Sequence, residues 1–268
     1  VVVCSWDPTH EKYVLAAIEA GKFVFCEKPL AETADSCRNI VKQEMESGKH
    51  LVQVGFMRRF DTDYRAMKAR LDSGSMGAPL MAHCVHRNAT SNSQYETKVN
   101  VTGTAIHEID VMRWLLNDDI VAAKIVQPRV SKYVKNGQKD PQIIVFQTKT
   151  GIIIDVETFL HCQYGYDIQC EVVGEEGTIR LPDPAQVIVR QKAKCSFDIL
   201  EDWRYRFIDA YNIEFQSWVN NTKAGIVDGP TAWDGYAAIA VAEACLKSRE
   251  TGKWEAVHIE ETPEFYLI

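Results

Sequence analysis

The 268-residue chain is 46% hydrophobic and 25% charged, which is typical of a globular protein long enough for two α/β lobes. Its formal net charge of −7 argues against nucleic acid or an anionic membrane as partner, because phosphate binding requires clustered lysine and arginine side chains. No apolar run approaches the roughly 20 residues that span a bilayer, and no basic, apolar leader is visible. The eight cysteines form no Cys-x-x-Cys pair, so we expect reduced core residues in a cytoplasmic protein.

The first 78 residues alternate apolar, strand-like runs with amphipathic helices. Strands are predicted at residues 1–5, 22–26 and 50–56, and helices at 8–20, 33–47 and 61–73. This alternation indicates a parallel sheet covered on both faces. Ligands bind such sheets beyond the carboxyl ends of the strands, so we expect the polar residues that follow these strands to share one rim.

From residue 79 onward the pattern changes to strands in series. Strands are predicted at residues 80–86, 120–130, 142–149, 151–160, 167–173, 178–181, 186–191 and 254–259, and helices at 104–116, 202–222 and 230–250. Because most of these strands follow one another without a helix, they indicate an open, largely antiparallel sheet. The predicted fold class is therefore α/β, with a parallel-sheet lobe followed by a second lobe that begins near residue 79.

Lys28 is the first candidate for chemistry, because it follows the apolar strand 22–26 directly. A lysine at a strand end is often a solvated charge, and position alone favours that interpretation. Pro29 favours a functional lysine over a solvated charge, since the residue before a proline is biased toward an extended backbone. The Lys28 ammonium is then held in one direction at the predicted ligand rim.

A second candidate lies in the predicted helix 104–116, where His107 and Asp110 are three residues apart and share a face. The predicted buried stripe of this helix consists of Ile106, Ile109, Met112 and Leu116. A histidine beside a carboxylate is a candidate general base, because its pKa lies close to working pH. A packed or capping histidine is the equally weighted alternative.

Further polar groups are predicted to face the joint between the lobes. His86 and Asn88 end the strand at 80–86, and Tyr166 lies in a second strand-like segment. Neutral donors and acceptors around one cleft suit a polyhydroxylated ligand better than a phosphate, although they also occur in unrelated surface loops. We expect no metal site, because strand alternation puts His83 and His86 on opposite faces.

Ordered motifs along nearly the whole chain resemble the Gfo/Idh/MocA oxidoreductase family and, within it, the bacterial inositol dehydrogenases. The motifs are CSWDPTHE, FCEKPLA, LVQVGFMRRF, HRN, HEIDV, NDD, QYGYDIQCE, GPTAWDGY and PEFY. The resemblance implies oxidation of a cyclic polyol hydroxyl to a ketone, with NAD, or alternatively NADP, as hydride acceptor. It also implies a Rossmann-type half-domain at 1–78, a substrate-binding domain at 79–268, and a homotetramer formed through the sheet of the second domain.

The resemblance also implies roles for individual residues. Lys28 would polarise the reacting hydroxyl, and His107 would remove its proton. Substrate-binding positions are matched by Arg58, His86, Asn88, Asp110 and Tyr166. Cofactor-binding positions are matched by Ser5, Trp6, Glu27, Lys28 and Arg58.

Two features depart from this pattern. Gly103 stands four residues before His107, where the inositol dehydrogenases have an aspartate that orients the imidazole. The sequence also contains no Gly-x-Gly-x-x-Gly, so we expect about 70 further residues, judged from the size of a βαβ unit, to precede it. The alternatives are therefore a polyol- or sugar-binding protein that has lost turnover, or a dehydrogenase for another sugar.

Overall fold

The computed structural model describes residues 1–92, 95–135, 137–183 and 187–267. Residue 186, the first of one predicted strand, lies outside this range. Within the described part, no helix is both long and apolar enough to cross a membrane.

The first sheet contains three parallel strands in the order β1-β2-β3. These are β1 (Val2–Val3), β2 (Val24–Glu27) and β3 (Val52–Gly55), and the accompanying helices are α1 (His10–Glu19), α2 (Ala34–Ser47) and α3 (Thr62–Asp72). Short 3-10 turns at Asp7–Thr9 and Met57–Phe60 follow β1 and β3. The carboxyl ends of all three strands therefore lie along one rim, as predicted.

The strands that follow the first sheet in the chain are β4 (Pro79–Arg87), β5 (Ile120–Val126), β6 (Gln142–Thr148), β7 (Ile153–Phe159), β8 (Asp167–Gly174), β9 (Gly177–Arg180), β10 (Val189–Gln191), β11 (Lys194–Ser196) and β12 (Glu255–Ala256). Seven of these strands form the second sheet, in the order β12-β5-β6-β7-β4-β8-β9. Within this sheet only β4 and β7 run parallel, so it is largely antiparallel. The predicted fold class is confirmed.

Two strand predictions need correction. Of the strand predicted at 186–191, only residues 189–191 are extended within the described range, and they form the first arm of an exposed hairpin with β11 that does not join the large sheet. Its partner β11 was missed because it is only three residues long and lacks an apolar run. The strand predicted at 254–259 is shorter in the structure, where β12 comprises Glu255 and Ala256.

The predicted helix 104–116 also differs from the structure. A π-helical segment at Asn100–Ala105 leads directly into α4 (Ile106–Leu116), so helical backbone begins earlier than predicted. Within the predicted stripe, Leu116 is only half-buried and Leu115 is buried instead. The spacing of apolar residues did not identify every buried position of α4, because α3, α6 (Ala232–Thr251) and the Met57–Phe60 turn all pack around this helix and bury more than one of its faces.

Helix α6 joins the two sheets by packing against α2, β3 and β5. It begins with a capping box in which Thr231 and Asp234 exchange hydrogen bonds. A Cβ atom at Gly235 would lie 2.7 Å from Cβ of Leu30 and 3.2 Å from Cγ2 of Val54, so only glycine permits this close approach. The contact brings the rim of the first sheet next to β4 and α4. Helix α5 (Trp203–Lys223) covers the Met57–Phe60 turn from the other side.

Candidate active site

A cleft of about 930 Å³ opens between the rim of the first sheet, β4, α4 and α5. Ser5, Glu27 and Lys28 line it from the carboxyl ends of β1 and β2. His107 lines it from α4. The structure thus brings the two predicted catalytic side chains, from segments about 80 positions apart in sequence, to the same cavity.

Lys28 reaches across the cleft toward the start of α4. Its Nζ donates to the carbonyl oxygen of Gly103 over 3.1 Å, and its backbone N–H donates to Oε2 of Glu27 over 3.2 Å. Burial lowers the pKa of the Lys28 ammonium, and the neighbouring Glu27 carboxylate opposes that shift. The ammonium group of Lys28 is therefore partly desolvated, and the carbonyl group that it binds lies one helical turn before His107.

His107 is 7% exposed, and its Nδ1 has no hydrogen-bond partner among the described residues. Burial lowers its pKa well below the ordinary value of 6.5, and the positive charges of Lys28 and Arg58 lower it further. The imidazole is therefore neutral near pH 7 and can accept a proton. A solvent-shielded nitrogen without a partner is costly, and it marks a ring held without an orienting acceptor.

A buried ion pair stands behind the cleft wall. Arg58 donates from Nη1 to Glu108, and its Nη2 lies 3.1 Å from Nδ1 of His86. Burial alone would raise the pKa of Glu108, but Arg58 and His86 outweigh it and hold the value at about 2. Arg58 is 1% exposed and is not among the described residues that line the cleft, so the structure places it behind the wall rather than in it.

We expect Glu108→Gln to lower the free energy of unfolding by about 3–5 kcal/mol, because it leaves the buried Arg58 guanidinium unpaired. Because the pKa of Glu108 falls from 4.5 to about 2 on folding, this contribution is complete above pH 4.5 and is lost as pH falls toward 2. Urea unfolding at several pH values measures both effects. Asp35→Asn, which breaks the exposed pair with Arg38, is the matched control and should cost less than about 1 kcal/mol. Equal losses in the two variants would contradict this prediction.

The structure does not bring Asp110 or Trp6 to the cleft. Both oxygens of Asp110 are held by Arg59, at 2.5 and 3.0 Å, and Asp234 approaches the same guanidinium at 2.8 Å. Asp110 therefore serves an interior ion-pair network, although it shares a helix with His107. Trp6 is 76% exposed, and its side chain is outside the described cleft lining.

His86, Asn88 and Tyr166 do line the cleft, as predicted from the ends of their strands. The His86 ring lies 6.2 Å from that of His107 and 5.9 Å from that of Tyr166, measured between ring centres. Burial raises the pKa of the Tyr166 hydroxyl, so it stays neutral and able to donate. The wall opposite Lys28 thus offers neutral polar groups.

Sequence reasoning missed the wall formed by α5. Its cleft-lining residues are Trp203, Arg204, Ile208, Tyr211 and Phe215. Positions 204, 208, 211 and 215 repeat at helical spacing, so the signal was a single face of the predicted helix 202–222. Nothing in the sequence indicated that this face meets the rim of the first sheet.

Comparisons with known proteins cover almost the whole chain. A model described as an oxidoreductase family with an NAD-binding Rossmann fold matches residues 1–56, and that family's C-terminal alpha/beta domain matches residues 68–257. An inositol 2-dehydrogenase from Pseudomonas savastanoi pv. phaseolicola is 54% identical over 266 residues, which is 99% of this chain and 79% of that protein. A Serratia proteamaculans protein of the same name is 55% identical over the same shares. A crystal structure of myo-inositol dehydrogenase from Lactobacillus casei, in complex with NAD(H) and myo-inositol, is 40% identical with a TM-score of 0.97, covering 99% of this chain and 79% of that one.

Proposed function

The chain belongs to the Gfo/Idh/MocA oxidoreductase family, and from that premise we propose that it oxidises a hydroxyl of myo-inositol or a close relative to a ketone, with NAD as cofactor. The observation that carries the proposal is the convergence of Lys28 and His107 on one cleft, where Nζ of Lys28 lies 3.1 Å from the carbonyl oxygen one turn before His107. NADP is the alternative cofactor.

The rim of the first sheet fits the nicotinamide end of such a cofactor. It offers the polar groups of Ser5 and Glu27 beside the apolar side chains of Met57 and Phe215, which suits a flat ring that carries an amide. When bound, the nicotinamide accepts a hydride from the ring carbon of the substrate. For the cofactor's pyrophosphate no such fit is found, because this sequence contains no Gly-x-Gly-x-x-Gly whose backbone N–H groups could bind it.

We assign proton removal to His107 and charge stabilisation to Lys28. Because Nδ1 of His107 is shielded from solvent, Nε2 is the atom that would take the hydroxyl proton. The Lys28 ammonium would donate to the same oxygen and stabilise the negative charge that develops there. Loss of the proton makes departure of the hydride from carbon easier, so the two residues act on one step.

The remaining hydroxyls of a polyol ring would meet His86, Asn88 and Tyr166, which line the same cleft. Arg58 would act indirectly, by holding Glu108 and His86 behind that wall. Asp110 would also act indirectly, by binding Arg59 outside the described cleft lining. These assignments predict that substrate affinity depends more on Asn88 than on Asp110.

Formation of NADH from NAD and myo-inositol tests this function directly. A titration of the chain with NADH, followed by fluorescence with and without myo-inositol, separates cofactor binding from turnover. Turnover together with NADH binding supports the proposal. Absence of both, in a chain that remains folded by circular dichroism, would overturn it.

A second candidate function is polyol binding without turnover. The observation in its favour is the unpartnered Nδ1 of His107, one turn after Gly103, which lacks a side chain to orient it. Calorimetric titration with myo-inositol distinguishes the two functions. Binding of the polyol without NADH formation would favour this second candidate.

We also propose that residues 1–78 and 79–268 act as two domains and that four copies assemble through the outer face of the second sheet. That face carries the exposed apolar side chains of Met81 and Ile153, which are paired on β4 and β7, and of Ile143, which lies on β6 opposite Glu157. Sedimentation velocity measures the assembly, and a monomer at micromolar concentration would contradict it. The eight free cysteines support a reducing compartment such as the cytoplasm.

A further inference from the structure

His10 makes two contacts that the proposed mechanism does not use. It is the first residue of α1 and is 1% exposed. Its Nδ1 lies 2.7 Å from the carbonyl oxygen of Pro29, and its Nε2 lies 2.9 Å from the carbonyl oxygen of Ser5. One buried ring therefore connects the segment after β1 with the segment after β2.

Both contacts are to acceptors, and this limits what the ring can do. A neutral imidazole has one N–H donor and one lone pair, so it satisfies only one of two carbonyl oxygens. In either tautomer the ring donates to one carbonyl oxygen and lies within 2.9 Å of the other, so it fixes the distance between the two segments.

We propose that His10 is a positioning residue for Lys28: its two ring nitrogens lie at hydrogen-bond distance from the carbonyl oxygens of Pro29 and Ser5, and the ring so sets the spacing of the two rim segments. Pro29 follows Lys28 directly, so a shift of its carbonyl group moves the backbone from which the lysine reaches Gly103. Ser5 lines the same cleft as Lys28. This role rests on the proposed function of Lys28.

The positioning role is measured by turnover. We expect His10→Phe and His10→Gln to lower kcat for polyol oxidation by about 10–100-fold, the scale of a 1 Å misplacement, with a smaller change in KM. Val14→Ala, in the buried face of the same helix, is the matched control: it destabilises α1 but should leave kcat unchanged. If the His10 variants lose no more kcat than Val14→Ala at equal loss of thermal stability, the role is structural only and the proposal is wrong.

Crystal structures of the two His10 variants give a readout that does not depend on turnover. We expect the contact between Nζ of Lys28 and the Gly103 carbonyl, 3.1 Å in the present chain, to lengthen or break. An unchanged contact in both variants would overturn the positioning role.

Discussion

Lys28→Met is expected to lower kcat for polyol oxidation by about 10²–10³-fold, the loss that follows removal of one donor to a developing oxyanion. Methionine keeps the length and apolar stem of the side chain but removes its charge and its donor hydrogens. The affinity for NADH should change little, because the ammonium is proposed to act on the substrate oxygen. Steady-state kinetics and NADH fluorescence titration measure the two quantities.

The size of this effect follows from where the charge lies. Burial lowers the pKa of Lys28, while Glu27 opposes the shift and Gly103 accepts a hydrogen bond from Nζ. A donor in such a partly desolvated place interacts more strongly with a developing negative charge than a surface lysine does. Its loss is therefore not replaced by water at equal strength.

Lys22→Met is the matched control for this variant. Lys22 precedes the same strand but is exposed, so its replacement should leave kcat unchanged. A nearly normal rate for Lys28→Met would remove the lysine from the mechanism. A large loss of NADH affinity would place it in cofactor binding instead.

The parallel sheet was predictable because its strands are short, apolar and separated by helices. Val52–Gly55 lies within its predicted strand and Val24–Glu27 extends one residue beyond its own, and the rule for parallel sheets then locates the rim. Local patterns of this kind depend on neighbouring residues only. They were sufficient to place Lys28 at the cleft.

Contacts between distant segments were not predictable in the same way. Arg58 and Asp110 are predicted ligand-binding residues, and the structure pairs each of them with an oppositely charged side chain, Glu108 and Arg59 respectively. The partners are 50 and 51 positions away, and single-sequence patterns carry no information about such pairs. The α5 wall escaped prediction for the same reason, since its face is defined by what it packs against.

The π-helical segment before α4 is a further feature without a local signal. Asn100–Ala105 contains Gly103 and three β-branched residues, which sequence propensity assigns weakly to any helix. Packing rather than propensity therefore holds it, and it sets where Gly103 lies relative to His107. Gly103, four residues before the proposed base, thus lies where sequence patterns are weakest.

Gly103→Asp is expected to raise kcat by about 10²-fold or more, on the scale of the roughly 10⁴-fold loss seen when a catalytic histidine loses its orienting carboxylate. Side chains on a helix point back toward the preceding turn, so an aspartate at 103 can accept from the unpartnered Nδ1 of His107. The carboxylate would fix the ring with Nε2 toward the substrate and stabilise the imidazolium that forms.

The same change should shift the pH profile. In the present chain burial and nearby cations hold the pKa of His107 well below 6.5, and a carboxylate would raise it. A base loses activity as pH falls through its pKa, so the acid limb of kcat/KM should move to higher pH in Gly103→Asp. Gly103→Asn accepts a hydrogen bond without charge and should raise kcat with a smaller shift of the limb.

A side chain added at Gly103 would contact Val99, so the experiment needs a second substitution at that position. A Cβ atom at Gly103 would lie 2.8 Å from Cγ1 of Val99, so the valine must rotate to admit any side chain there. The double variant Val99→Ala, Gly103→Asp removes that contact, and Val99→Ala alone is its control. If kcat and the acid limb are the same in the double variant and its control, Gly103 has no part in the mechanism and His107 is oriented by the helix alone.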